Sequence, residues 1–278
     1  MIDCHTHTAV SPDAEGDALS SYRQAVSLGL KALAITEHVE ANRPEGPENY
    51  TTVHTSDEHY FYNRDIFHKS METNLLVQKQ IAGDTVFING TELGQPTHNF
   101  EFADEVVSDE RLDFVIGSMH ELKGRDDFAF LDYKKEEPDR ILAEYFEEIL
   151  AMCKWGKFDV LGHLTYPLRY ICGEQGIPVD LSKHESIIRD IFKETASMDK
   201  GIEINTSGLW QDYGKTFPDF DLVKLYRECG GQIISLGSDA HKTADIGKGI
   251  REGMEIAKAA GFSKIYYFKK HVPYGISI

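Results

Sequence analysis

The feature of this 278-residue chain that most constrains its fold is the regular return of short apolar runs rich in β-branched residues. Seven such runs occur, at residues 1–5, 30–36, 85–90, 113–118, 158–162, 201–205 and 232–236. Between them, apolar residues recur at helical spacings, for example over residues 141–153, 187–192 and 222–226. This alternation is typical of βα units around a parallel sheet or barrel. We therefore predict an α/β fold with seven parallel strands.

The remaining organisation is simple. No linker, repeat or low-complexity block divides the chain, which predicts a single domain over residues 1–278. Residues 39–63 are the exception, because this segment is rich in Pro, Gly, Asn, Thr and Tyr and has no regular pattern. Such a loop is either functional or merely solvated, and as a lid it would bring His54, His59 and Tyr60 towards a substrate.

Composition narrows the classes of function. The formal net charge of -17 disfavours long nucleic acids, whose binding depends on basic groups, and favours a small-molecule substrate. No run approaches the roughly 20 apolar residues of a membrane span, and the N-terminus has no secretory pattern. The four cysteines are scattered without a metal-binding spacing, as in a reduced, cytoplasmic protein.

Histidines and carboxylates stand at the ends of six of the seven predicted strands. His5 and His7 end the first, and their alternate spacing points both side chains to the same side. The other strand-end residues are His38, Glu92, His120, His163, Asp239 and His241. A single strand-end histidine often serves only as a cap, but six ends of parallel strands meet at one face. The pattern therefore predicts a metal centre, and donors without thiolate suit Zn, Mn or Fe.

These motifs occur in a recognisable order and spacing. They are Asp3-Cys4-His5-Thr6-His7 with Ser11-Pro12-Asp13, Thr36-Glu37-His38, Gly90-Thr91-Glu92, Gly117-Ser118-Met119-His120, Gly162-His163, Glu203-Ile204-Asn205-Thr206 and Gly237-Ser238-Asp239-Ala240-His241. Together they resemble the PHP (polymerase and histidinol phosphatase) superfamily of phosphoesterases, in particular its histidinol-phosphatase branch. The resemblance implies a distorted, TIM-like (β/α)7 barrel that holds up to three divalent ions.

Carried over position by position, the implied ligands form three sets. The first ion would be bound by His5, His7, Glu92 and Asp239. The second would share Glu92 and add His120 and His163. The third would be bound by Asp13, His38 and His241, of which Asp13 lies in a predicted loop. Three divalent ions, three carboxylates and neutral imidazoles leave a local excess of three positive charges, which suits a phosphate dianion and a hydroxide.

The resemblance also implies a reaction, the attack of a metal-bridging hydroxide on a phosphate ester without a covalent enzyme intermediate. Glu92 would hold two of the ions together, and Asp239 is our candidate for delivering a proton to the leaving group. Arg169 matches a family position that contacts phosphate. Trp210 stands where several relatives have a second arginine, and Lys215 or stacking on Trp210 itself would compensate for it.

Four functions compete. The leading one is a phosphomonoesterase that hydrolyses L-histidinol phosphate in histidine biosynthesis, and the second is a PHP-type phosphodiesterase or exonuclease on nucleotides or short oligonucleotides. A non-catalytic metal-binding module ranks lower because every implied ligand is present. An amidohydrolase-type enzyme shares the HxH opening, but this chain has Glu92 where that family often has a modified lysine.

Overall fold

The computed structural model describes residues 1–41 and 63–278 of the protein. Its centre is a sheet of seven strands hydrogen-bonded in chain order, and every neighbouring pair is parallel. The strands are β1 (Ile2–Asp3), β2 (Ala32–Glu40), β3 (Val86–Gly94), β4 (Phe114–Ser118), β5 (Val160–Leu161), β6 (Gly201–Asn205) and β7 (Ile234–Gly237). All seven predicted strands are therefore confirmed. Five of them are buried along their whole length, as expected of a parallel sheet covered by helices.

The first and last strands meet, and the sheet thereby forms a nearly closed barrel. The Cys4 N–H donates to the carbonyl of Leu236 at 2.8 Å, and the Asp239 N–H donates to the carbonyl of His5 at 2.8 Å. We call this contact the β1–β7 seam. The predicted (β/α)7 barrel is confirmed, and its closure places the first ligands of the chain beside the last.

Helices occupy the connections between the strands. They are α1 (Ala18–Ser27), α2 (Asn63–Gln78), α3 (Phe100–Val107), α4 (Pro138–Trp155), α5 (Glu185–Ser197), α6 (Phe220–Glu228) and α7 (Ile250–Ala259). The three predicted helical segments lie within α4, α5 and α6. Pro138 opens α4, and Gly156 ends it in the left-handed conformation with φ 69°, which only glycine adopts without strain. Among the described residues, no helix is both long enough and apolar enough to cross a bilayer.

β2 and β3 continue four residues beyond the apolar runs that predicted them. Val39 pairs with Leu93 and Glu40 with Gly94, so the irregular segment does not begin at residue 39 as we had expected. Polar residues continue these strands because their side chains face the functional end of the barrel, where an apolar pattern is not required. Residues 42–62, which include His54, His59 and Tyr60, lie outside the described residues.

A C-terminal hairpin was missed by the sequence pattern. It consists of β8 (Lys264–Lys269) and β9 (Val272–Ser277), which pair antiparallel through a two-residue turn. The turn residues Lys270 and His271 both have positive φ, the conformation that such tight hairpins require, although neither is a typical turn residue. The His271 N–H donates to the carbonyl of Asp113, so the hairpin covers the amino-terminal end of the barrel.

Candidate metal centre

The predicted ligands converge at the carboxyl-terminal end of the barrel. His38 and Glu92 are register partners on β2 and β3, and the others follow the ends of β1, β4, β5 and β7 or, for Asp13, precede α1. They border or underlie a pocket of about 450 Å³. Because the carboxyl ends of parallel strands share one face, residues far apart in sequence meet there.

The first set surrounds a point between β1, β3 and β7. Glu92 Oε2 lies 3.3 Å from His5 Nε2 and 3.6 Å from His7 Nε2. Asp239 Oδ1 lies 3.5 Å and 3.2 Å from the same two nitrogens. Asp239 holds this place with φ 56°, a left-handed conformation that costs a non-glycine residue roughly 1–3 kcal/mol and is concentrated at functional sites.

The facing atoms of this set are unusual because they are buried and lack hydrogen bonds. His5 Nε2, His7 Nε2 and Asp239 Oδ1 have no hydrogen-bond partner among the residues that the structure describes, and Glu92 Oε2 faces only imidazole nitrogens, of which His38 Nδ1 is nearest at 2.7 Å. Buried polar atoms without a partner are costly, and a bound cation would satisfy all four at once. The donor set therefore fits a divalent ion, and imidazole with carboxylate is suited to Zn, Mn or Fe.

The second set shares Glu92 through its other oxygen. Glu92 Oε1 lies 2.7 Å from His163 Nε2 and 3.1 Å from His120 Nε2, and the two imidazole nitrogens are 3.3 Å apart. Glu92 is 1% exposed, so both of its oxygens are committed to these contacts. The geometry gives one carboxylate a bridging position between two neighbouring donor sets.

The third set is more open to solvent. Asp13 Oδ2 lies 3.2 Å from His241 Nε2 and 3.6 Å from His38 Nε2, and the two imidazole nitrogens are 3.3 Å apart. The side chains of Asp13 and His241 are 37% and 31% exposed, whereas those of His5 and His7 are fully buried. Asp13, which only the family resemblance could single out, is thus brought to the same cluster.

Mutual contact within the cluster changes the pKa values of its members in the metal-free protein. Burial lowers the pKa of His120, but the carboxylates of Glu40 and Glu92 outweigh it and raise that pKa to about 10. Burial, with the nearby His38 and His241, lowers the pKa of His7 to about 3. Burial raises the pKa of Glu92, yet the surrounding imidazoles hold it well below its usual range. Glu92 is therefore ionised at neutral pH, the form that binds cations.

Two buried carboxylates that contact the ligands were not among the predicted site residues. Glu40 Oε1 lies 2.9 Å from His120 Nδ1, and Glu203 Oε1 lies 2.7 Å from His5 Nδ1. A signal was present for each. Glu40 lies two residues beyond His38 on the same face of β2, and Glu203 lies on β6, the one strand that had contributed no strand-end candidate. If the carboxylates of Glu40 and Glu203 are counted as well, the local positive excess that we inferred from the sequence falls from three charges to one.

The three residues predicted to contact the substrate do not all lie in the same pocket. Arg169 and Trp210 border the pocket of the metal cluster. The Arg169 guanidinium packs on the Tyr170 ring at 5.2 Å and has no carboxylate within 4 Å among the described residues. The ammonium of Lys248 lies 4.7 Å from the centre of the Trp210 ring. Lys215 does not border this pocket, because its ammonium pairs with Asp219 at 3.0 Å in a separate surface groove.

Comparison with known proteins identifies the family. The model of the PHP domain matches residues 3–207. The chain belongs to the PHP domain family. The match contains the ligands contributed by β1 to β5 and ends before Asp239 and His241, for which the geometry above is the evidence. The PHP barrel also resembles a crystal structure of histidinol phosphate phosphatase from Lactococcus lactis complexed with zinc, L-histidinol and phosphate, with a TM-score of 0.78 and 22% identity over 98% of each chain.

Two curated relatives of this PHP chain are named phosphatases. A "Probable histidinol-phosphatase" of Thermotoga maritima is 28% identical over 262 residues, which are 94% of this chain and 93% of the relative. A "Probable phosphatase" of Vibrio parahaemolyticus is 28% identical over 254 residues, which are 89% of this chain and 81% of the relative. The chain therefore spans 81–93% of the length of these two relatives.

Proposed function

We propose that this PHP protein is a metal-dependent phosphomonoesterase that hydrolyses L-histidinol phosphate to L-histidinol and phosphate. The observation that carries the proposal is the position of Arg169 in the same pocket as the metal-ligating cluster. A guanidinium with no carboxylate partner among the described residues is suited to gripping phosphate oxygens with two parallel hydrogen bonds. The named relatives and the solved histidinol phosphate phosphatase support L-histidinol phosphate as the ester.

The nine clustered side chains would hold three ions in the sets described above. Bound divalent ions would lower the pKa of a water molecule and neutralise charge on phosphoryl oxygens. Glu92 would fix the spacing of the first two sets, because Oε1 faces His120 and His163 whereas Oε2 faces His5 and His7. Oε2 also lies 2.7 Å from His38 Nδ1 of the third set. Zn, Mn and Fe all suit these donors.

Asp239 is the residue we propose for proton transfer. Burial raises its pKa, but His5, His7 and His241 hold that pKa well below its usual range, so the carboxylate is ionised before substrate binds. Asp239 borders the pocket, and its Oδ2 accepts a hydrogen bond from Asn205 Nδ2 at 3.3 Å. The role rests on this position: from it the Asp239 carboxylate would accept a proton of the attacking water and return it to the leaving alkoxide.

The deciding experiment compares substrates under each metal. The protein is loaded separately with Zn, Mn and Fe and assayed against L-histidinol phosphate, nucleoside monophosphates, sugar phosphates and p-nitrophenyl phosphate. We expect the highest kcat/KM for L-histidinol phosphate. If that ester ranks with the generic monoesters, the assignment to L-histidinol phosphate fails and the phosphatase activity stands.

A diester substrate tests the remaining alternative, which is phosphodiester hydrolysis. Bis(p-nitrophenyl) phosphate is assayed beside p-nitrophenyl phosphate under the same metal. The proposal expects the monoester to be preferred, because an arginine with several cations is suited to a dianion. Preference for the diester would assign the site to phosphodiester hydrolysis instead.

A further inference from the structure

Glu203 is a buried carboxylate that touches the candidate centre without facing the pocket. It lies in the middle of β6 and is 1% exposed. Its Oε1 lies 2.7 Å from His5 Nδ1, and its Oε2 accepts the backbone N–H of His163 at 2.9 Å. No Lys or Arg nitrogen of the described residues lies within 4 Å of it. Its described hydrogen bonds are therefore made to two ligands of the centre and to the neighbouring Asn205.

We propose that Glu203 is a positioning residue that holds ligands of two neighbouring metal sites with one side chain. His5 belongs to the first donor set and His163 to the second, so the two oxygens of Glu203 link the sets from behind, as Glu92 bridges them from the front. This role rests on the metal centre of the proposed function.

The contact with His5 also fixes the tautomer of that imidazole. When Nε2 binds a metal ion, the imidazole hydrogen lies on Nδ1, where Glu203 Oε1 accepts it, and the Nε2 lone pair faces the side of Glu92 and Asp239. A metal-ligating histidine typically donates its second N–H to such a carboxylate, which fixes its orientation and raises its basicity.

The surroundings of Glu203 leave it little freedom. A Cβ atom at Gly237 would overlap both Glu203 Oε1 and His5 Cβ, so only glycine fits there. Asn205 Nδ2 donates to Glu203 Oε2 at 3.3 Å and also to Asp239 Oδ2 at 3.3 Å. The carboxylate is thus fixed relative to a third predicted ligand.

Glutamine cannot replace Glu203, although it has the same shape. Both oxygens of Glu203 accept hydrogen bonds, whereas an amide has one acceptor and one donor. With its NH₂ towards His5, the amide would move the imidazole hydrogen to Nε2 and block metal binding. With its NH₂ towards His163, it would face the backbone N–H donor. In either orientation, the amide is expected to weaken metal binding.

Asp159 provides a matched control at the opposite end of the barrel. Its Oδ2 accepts the backbone N–H of Val115 at 2.8 Å and lies 2.9 Å from His271 Nδ1, the same two kinds of partner as at Glu203. Asp159→Asn therefore replaces a buried carboxylate that has the same kinds of partner by an amide, away from the candidate metal ligands, although at residue 159 a single oxygen accepts both contacts.

The test measures metal binding without any substrate. Zn²⁺ affinity is determined by competition with a chromophoric chelator, and Co²⁺ absorption spectra are recorded, for the wild type, Glu203→Gln and Asp159→Asn. We expect Glu203→Gln to lose roughly 10- to 100-fold in Zn²⁺ affinity at one site or more and to change the Co²⁺ spectrum. We expect Asp159→Asn to match the wild type in both.

Two outcomes overturn the inference in distinguishable ways. Wild-type Zn²⁺ affinity and Co²⁺ spectrum in Glu203→Gln would refute the positioning role and leave the proposed function intact. Failure of the wild type to bind either ion would refute the proposed function and the positioning role with it. If Glu203→Gln does not fold, Glu203→Asp keeps the charge but is too short to reach both partners, and unchanged Zn²⁺ affinity in that variant would also refute the role.

Discussion

The two ends of the barrel use buried carboxylates and imidazoles in different ways. At the amino-terminal end, Asp113 accepts from the N–H of Asn89 and from Lys269 Nζ, and Asp159 accepts from Val115. His271 has a side chain that is 42% exposed, so water can reach the nitrogen that does not face Asp159. At the carboxyl-terminal end, His5 Nε2 is buried and without a hydrogen-bond partner among the described residues.

The difference teaches how a ligand can be told from a structural residue. Both ends contain a carboxylate that bonds a backbone N–H and an imidazole Nδ1, so this pair alone does not mark a metal site. What marks one is the direction of the second imidazole nitrogen, towards other buried acceptors rather than towards water. The predictions that follow test this distinction.

The largest effect is expected at Glu92, where both oxygens face imidazoles. Glu92→Gln removes the charge shared by two donor sets, and the loss of several kcal/mol of transition-state stabilisation corresponds to a fall in kcat on the order of a thousandfold. Elemental analysis should show fewer bound ions. A Glu92→Gln protein with full metal content and wild-type kcat would remove the distinction between the two ends.

A smaller loss is expected for Arg169→Lys. Lysine keeps the positive charge but not the planar fork that holds two phosphate oxygens, so kcat/KM should fall by roughly 10- to 100-fold, about 1–3 kcal/mol. Steady-state kinetics with L-histidinol phosphate measures the fall, and metal content serves as the control. Unchanged kinetics would exclude contact between Arg169 and the phosphate.

Metal removal should make the stability of the centre sensitive to pH. Although burial lowers the pKa of His120, Glu40 and Glu92 raise it to about 10 in the metal-free fold. The folded state then binds more protons than the unfolded state, so this contribution to stability is complete below about pH 6.5 and is lost as the pH rises towards 10. Urea unfolding of chelator-treated protein across this range should show the decline. Metal-loaded protein should not, because a ligated imidazole nitrogen carries no proton.

Asp159→Asn should affect only the fold. Because a single oxygen, Oδ2, accepts both contacts, the amide oxygen of asparagine can take its place, and this weaker neutral acceptor should cost about 1 kcal/mol in the free energy of unfolding. Chemical denaturation measures this cost, and kcat/KM per metal-loaded site should equal that of the wild type. A selective loss of activity would show that the two ends are coupled.

The smallest effect is expected at Lys215. The sequence suggested that Lys215 replaces a missing phosphate-binding arginine, but its exposed ammonium pairs with Asp219 outside the pocket. Since an exposed ion pair contributes roughly 0–1 kcal/mol, Lys215→Ala should leave kcat/KM and the midpoint of unfolding close to those of the wild type. A large rise in KM would return Lys215 to the substrate site.

The sequence predicted the barrel well because each parallel strand gives two kinds of sequence signal. Their buried segments are continuously apolar, and their ends carry the polar residues of the functional face, as at His120 and His163. Asp13 lies in a turn, where no periodicity applies, so only the family resemblance indicated it. The C-terminal hairpin was missed because Lys270 and His271 give no turn signal.

Glu203 and Glu40 show a second limit of prediction from the sequence. Strand alternation tells which side of the sheet a residue faces, but not which neighbouring strand supplies its partner. The contact between Glu203 and His5 joins residues 198 positions apart and exists only after the barrel closes. The sequence signals of such support residues therefore do not identify their partners, which only the folded geometry shows.

The β1–β7 seam has a consequence for the order in which the protein matures. During synthesis the amino-terminal strand leaves the ribosome first, and domains generally fold as units. His5 and His7 emerge long before Asp239, whose N–H completes the seam at the carbonyl of His5. The first donor set is therefore complete only after Asp239 has left the ribosome, and the last strand joins the first at the place where that set is assembled.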